Sequence, residues 1–330
     1  MNERDFFIKL IRELSFPMEP LPVPLETEWE ALVPGSGSGK KPVLAGIKAV
    51  LFDLYGTLFI SGAGEIAADP ESAAGEGGVK PGETQGFAMD GAGATACPPK
   101  VDRGEFARGK LQRQSPARMP GFDAPGTYFR RAVRERHRAA RDAGTAWPEV
   151  AVEEIWAEYR GVFPGGKTGM NPRELALRYE LAVNPVYPMP HALETLTALA
   201  RRGLTLGIIS NAQFFSPLLF DAFFDAPPEK LGFDPGLLIY SFREAEAKPS
   251  SRLFAKAREL LARRGIGAGE TLYTGNDMRN DIVPAVDAGF AAALFAGDRR
   301  SLRLRRDDPA CAGYRPLLVL KDLQELLADR

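Results

Sequence analysis

Ile47-Lys-Ala-Val-Leu-Phe-Asp53-Leu-Tyr55-Gly-Thr-Leu58 decides the fold. Its first half is a short apolar run of strand type that stops on a carboxylate. In isolation Asp53 reads as a turn cap. Behind an apolar strand and ahead of Gly56-Thr57, it reads as a functional acid at a strand's end.

Working outward, the chain beyond about residue 190 alternates between two periodicities. Helical patterns at 191–202, 214–224, 250–264 and 281–288 are interleaved with strand patterns at 204–210, 237–241, 271–275 and 291–295. A further strand at 317–320 and a last helix ending at Leu327 follow. Such alternation predicts βαβ units and a parallel sheet, hence an α/β, doubly wound, Rossmann-like core made of 45–60 plus 187–330.

Between these two parts, 61–120 is rich in Gly, Ala and Pro and poor in branched aliphatics, so it is expected to be a low-complexity, flexible insert. Helical pattern returns near 126. Val152, Ile155, Trp156 and Tyr159 share a stripe, and 175–183 forms another helix, which predicts a small α-helical cap domain over 121–186. Residues 1–44 read as an N-terminal extension. Phe6, Phe7, Leu10, Ile11 and Leu14 line one helical face there, and a proline-rich tether and Trp29 follow. The stretch from Gly35 to Lys41 has a superficial likeness to a phosphate-binding loop. Its glycine spacing is one residue short, Lys41 stands where Ser or Thr belongs, and Pro34 precedes it, so it reads as a linker.

Bulk properties narrow the function. Forty-two basic residues against 43 acidic ones give a net charge of −1, which argues against nucleic acid or an acidic membrane as partner. The two cysteines, Cys97 and Cys311, form no C-x-x-C pair, and no run approaches the ~18 apolar residues of a membrane span. A cytoplasmic enzyme with a small-molecule substrate is expected. Oligomeric state is not legible.

Ligands of an open parallel sheet collect at the carboxyl ends of its strands. Asp53, Ser210, Lys248, and the run Asn276, Asp277, Asn280, Asp281 all fall there. Asp53 is the candidate nucleophile, Lys248 and Ser210 the candidates for charge stabilisation, and Asp277 with Asp281 the candidates for holding Mg²⁺. Crowded carboxylates beside Asp53 would repel one another without a cation. Asn211, Thr57 and Tyr55 are candidate substrate contacts. His137, His191 and the arginine-rich 299–306 read as solvated or structural.

In order and spelling, these segments resemble the four signatures of the haloacid dehalogenase-like hydrolase superfamily. Asp53-Leu-Tyr-Gly-Thr-Leu58 stands for the first, Ile208-Ile-Ser210-Asn211 for the second, Lys248-Pro249 for the third, and Gly275-Asn-Asp277-Met-Arg-Asn-Asp281 for the fourth. The resemblance covers 47–60 and about 187–297. It implies a magnesium-dependent phosphatase acting on a small phosphorylated metabolite through an aspartyl phosphate on Asp53. Asp53, Asp277, Asp281 and the Tyr55 carbonyl would then hold the metal. Two departures matter. Tyr55 replaces the family's acid–base aspartate, as in its 2-haloacid dehalogenase branch, where no metal is needed. With an unperturbed pKa near ~10, a tyrosine is a poor acid at neutral pH. Asn276 also stands where the family often has an aspartate. The alternatives are therefore metal-free 2-haloacid hydrolysis, or a catalytically silent binding protein.

Overall fold

The computed structural model describes residues 1–23, 44–63, 124–159 and 170–328. Of the flexible insert expected over 61–120, residues 64–120 lie outside them, as do Trp29 and the Gly35 to Lys41 stretch, while Ser61 belongs to a strand. In chain order the strands are β1 (Ala49–Phe52), β2 (Phe59–Ser61), β3 (Val186–Pro188), β4 (Thr205–Ser210), β5 (Phe233–Tyr240), β6 (Thr271–Gly275), β7 (Ala291–Phe295) and β8 (Leu318–Leu320). The helices are α1 (Glu3–Leu14), α2 (Pro125–Asp142), α3 (Val152–Glu158), α4 (Pro172–Val183), α5 (Ala192–Arg201), α6 (Leu218–Phe224), α7 (Ser241–Glu244), α8 (Ser251–Ala262) and α9 (Val283–Asp287). No helix among the described residues is long and apolar enough to cross a membrane.

All four residues of β1 are buried, as a strand covered on both faces requires. It lies inside a six-stranded sheet of order β5-β4-β1-β6-β7-β8, in which every pairing is parallel. Phe52 pairs with Ile208 on one side and Thr274 on the other. The strand order therefore turns around β1, and its crevice opens where Asp53, Ser210 and Gly275 emerge within two residues of one another.

The expected strand at 237–241 begins earlier, at Phe233. Asp234, Pro235 and Gly236 read as breakers, but β5 is an edge strand, where proline is tolerated, and its register with β4 slips between Leu206 and Ile208. The helix expected from 214 starts only at Leu218, because Pro217 disfavours helical backbone at Ser216. The expected last helix is a 3₁₀ turn, Leu323–Leu327, capped by Asp322. An antiparallel ribbon of β2 and β3 had no sequence signal, since each strand has three residues and one contains Pro188. Helices α2, α3 and α4 lie between those two strands.

Helix α1 buries Phe7, Leu10 and Ile11, while Leu14, expected on the same stripe, is exposed. It packs on α6 and on α4. Arg4 meets Asp221 at 2.7 Å, and Arg12 donates to the Asp221 carbonyl at 2.6 Å. Arg173 of α4 lies over the rings of Phe7 and Phe214. Burial, rather than these partly exposed ion pairs, carries the attachment. Ile11→Ala is expected to cost about 2–5 kcal/mol in urea unfolding; a loss within error would mean that α1 does not dock in solution.

Candidate active site

Lys248 sits at the centre of the crevice, 6% exposed. Its Nζ donates to Asp53 Oδ1 at 2.7 Å and to Asp281 Oδ1 at 2.6 Å, and lies 3.2 Å from the Tyr273 hydroxyl. Burial works against the ammonium, but Asp281 and Asp53 outweigh it and hold the lysine pKa above its ordinary value. Burial likewise raises the Asp281 pKa, with Lys248 opposing and Asp53 adding to the rise.

Each side chain arrives by a different local device. Asp53 follows β1, and its backbone N–H donates to the Thr274 carbonyl at 2.9 Å. Asp281 sits in a π turn, Met278–Ile282, that opens α9. Gly275 makes that turn possible, because a Cβ there would lie 2.4 Å from Asp281 Cγ. Gly56 adopts φ +85°, and a Cβ on it would strike Ser301.

Asp53, Lys248 and Asp281 are thus brought together, and the other expected residues are placed around them. The Ser210 hydroxyl is buried and donates to the Asn211 carbonyl at 3.2 Å. Asn211, expected to touch substrate, spends both ends of its amide on Lys248: Oδ1 accepts from the Lys248 N–H at 2.7 Å, and Nδ2 donates to its carbonyl at 3.3 Å. It holds the lysine's backbone. Thr57, a second expected contact, donates to Asn276 Oδ1 at 3.1 Å, and Asn276 Nδ2 donates to the Ser301 carbonyl at 2.6 Å. The Tyr55 hydroxyl lies 2.9 Å from Ser216 Oγ. Burial pushes its pKa well above 10, so it is an even poorer acid than its unperturbed value implies.

Asp277 has a different task from the expected one. Arg305 approaches both of its oxygens, at 3.2 and 2.7 Å, and Oδ1 also accepts from the Arg279 N–H at 2.8 Å. Asp281 Oδ2 accepts from the Asp277 N–H at 2.9 Å. Among the described residues no group of three or more His, Cys, Asp or Glu side chains is disposed to hold a metal ion. Both oxygens of Asp277 are taken by Arg305, so this residue does not stand free in its expected place as a Mg²⁺ ligand. The repulsion that called for a cation is relieved by Lys248 and Arg305.

Tyr273 and Arg305 were not anticipated. The Tyr273 hydroxyl lies 2.9 Å from both Asp281 Oδ1 and the Ile209 carbonyl. A phenol in the middle of a fully buried strand needs a polar partner, and that was its available signal. Arg305 was hidden in the 299–306 stretch, read as a solvated loop.

A family model described as haloacid dehalogenase-like hydrolase matches residues 47–289. No curated protein matches the chain. Among solved structures, the chain is 19% identical to a 2-haloacid dehalogenase from Pseudomonas syringae pv. Tomato, over 85% of this chain and 96% of that one, with a TM-score of 0.44. It is 18% identical to a HAD phosphatase from Thermococcus onnurineus, over 60% and 79%, with a TM-score of 0.36.

Proposed function

The chain belongs to the haloacid dehalogenase-like hydrolases, and from that premise we propose that it hydrolyses a small 2-halo acid through a covalent ester on Asp53, without a metal ion. The observation that carries this reading is the pairing of the acidic residues with protein cations. Lys248 bridges Asp53 and Asp281, and Arg305 holds Asp277.

Lys248 binds Asp53 through Oδ1, which leaves Oδ2 to attack. Oδ2 forms a bond to the carbon bearing the halogen, and the halide leaves with the bonding electron pair. Water then adds to Cγ of the resulting ester. The hydroxy acid departs with the original Asp53 oxygen, a proton is released to solvent, and the carboxylate is restored. Tyr55 need not act as an acid, because a halide leaves unprotonated. Helices α2, α3 and α4 form the cap that closes over the substrate and excludes water.

The magnesium-dependent phosphatase expected from the family resemblance asks more of the site. It needs Asp277 released from Arg305, and a proton donor for the alkoxide where Tyr55 now stands. A single pair of assays separates the two chemistries. Bromide or chloride release from 2-halopropionates is expected, undiminished by EDTA. Phosphate release from p-nitrophenyl phosphate that requires Mg²⁺ and vanishes with EDTA would overturn the proposal in favour of the phosphatase. Turnover of neither substrate would favour a silent binding protein.

A further inference from the structure

Between α2 and α3 the chain dips to the rim of the sheet. The Glu149 N–H donates to the Ala245 carbonyl at 3.2 Å, and the Ala247 N–H donates to the Trp147 carbonyl at 2.8 Å. Pro148 bridges Glu246 in antiparallel register. Residues 147–149 are thus bridged to 245–247, the segment that delivers Lys248.

The Glu149 carboxylate fastens this contact to the core. Oε2 accepts from Ser241 Oγ at 2.6 Å, and the same Ser241 oxygen accepts from the Ala212 N–H at 2.8 Å. Oε1 accepts from Gln213 Nε2 at 3.1 Å and from the Val150 N–H at 2.9 Å. Gln213 Nε2 also donates to the Val150 carbonyl at 3.0 Å, and the Gln213 N–H donates to Ser216 Oγ, the partner of Tyr55. One acidic side chain therefore joins 147–150 to the turn after β4 and to the start of α7. Asn211, in that turn, grips the Lys248 backbone from the other side. Arg279, beside Asp277, lies over the Trp147 ring.

Burial alone would favour the neutral acid and raises the Glu149 pKa, while the donors from Ser241, Val150 and Gln213 oppose that rise. A carboxylate enclosed this way is costly unless its donors are held in place. A mere surface tether would not need it.

We infer that Glu149 is a positioning residue for Lys248, through which closure of the helical segment 124–159 fixes the lysine between Asp53 and Asp281. The inference rests on the reading of Lys248 as part of the reacting site, and on nothing about the substrate. A misplacement of about 1 Å at a charge-stabilising group costs up to about a hundredfold in rate.

The test compares Glu149→Ala, Glu149→Gln and the wild type on a 2-halopropionate, with amide hydrogen exchange read at 245–248. Glu149→Ala is expected to lower kcat by about tenfold or more with KM little changed, and to speed exchange at the Ala247 and Lys248 amides. Glu149→Gln, which keeps the shape and an acceptor oxygen, restores most of kcat and the protection. Unchanged kcat in Glu149→Ala, a change confined to KM, or failure of rescue by Glu149→Gln each overturns the inference. If the wild type turns over no halo acid, the halo-acid reading fails separately. The exchange comparison then decides: unaltered protection in Glu149→Ala overturns the positioning role.

Discussion

Asp53→Asn is expected to reduce halide release by about 10⁴-fold or more, the scale on which losing a covalent nucleophile acts. Asparagine keeps the side chain's shape and Lys248 retains Asp281 as an anionic partner, so the variant should melt near the wild type. That separates lost chemistry from lost fold. Isotope labelling then distinguishes direct attack by water from attack by Asp53. In a single turnover in H₂¹⁸O, water adds to the ester at Cγ, so ¹⁸O should enter the Asp53 carboxylate and the product should be unlabelled. Label in the first-turnover product with an unlabelled enzyme would rule out the ester, even if Asp53→Asn is dead.

The features legible in the sequence share a physical character. A parallel strand buried on both faces is a largely apolar run, so β1, β4 and β7 announce themselves, β6 follows from its place in the alternation, and the rim of the sheet follows from where those strands stop. The meeting of Asp53, Lys248 and Asp281 was readable for that reason. Identity of position did not settle identity of role. Asp277 and Asp281 are both acids beyond β6, but the π turn aims Asp281 at Lys248 and leaves Asp277 as the cap of that turn, paired with Arg305. Arg305 lies 28 residues further along the chain, and no local pattern marks such a partner. Asn211 and Thr57 have intramolecular partners that the sequence did not announce. A polar side chain near a site offers itself to substrate and to backbone alike, and here backbone or a neighbouring amide took both. The β2–β3 ribbon escaped because three-residue strands carry too little periodicity to register.

Lys248→Met removes the side chain that bridges Asp53 and Asp281. Both Asp53 and Asp281 would lose their cation, and breaking one side of a buried pair costs about 3–5 kcal/mol. The loss should depend on pH in a defined direction. The folded pKa of Lys248 is raised above 10.5, so its contribution is fully present below about pH 10.5 and is lost as pH rises through the folded value. Wild type should therefore lose stability on the alkaline side, and Lys248→Met should lack that slope. Asp281 supplies the opposite arm. Its folded pKa is already raised by burial, with Lys248 opposing, so removing the lysine raises it further. Protonation then favours the folded state, and the variant should recover stability as pH falls from neutral toward the acid range. Adding Asp281→Asn to Lys248→Met should restore part of the loss at neutral pH, since one uncompensated buried charge disappears, and the pair should be non-additive. Urea midpoints across pH for the two single variants and the double variant measure this. Strict additivity, or a Lys248→Met variant as stable as wild type at neutral pH, would show that the lysine does not hold these two acids in solution.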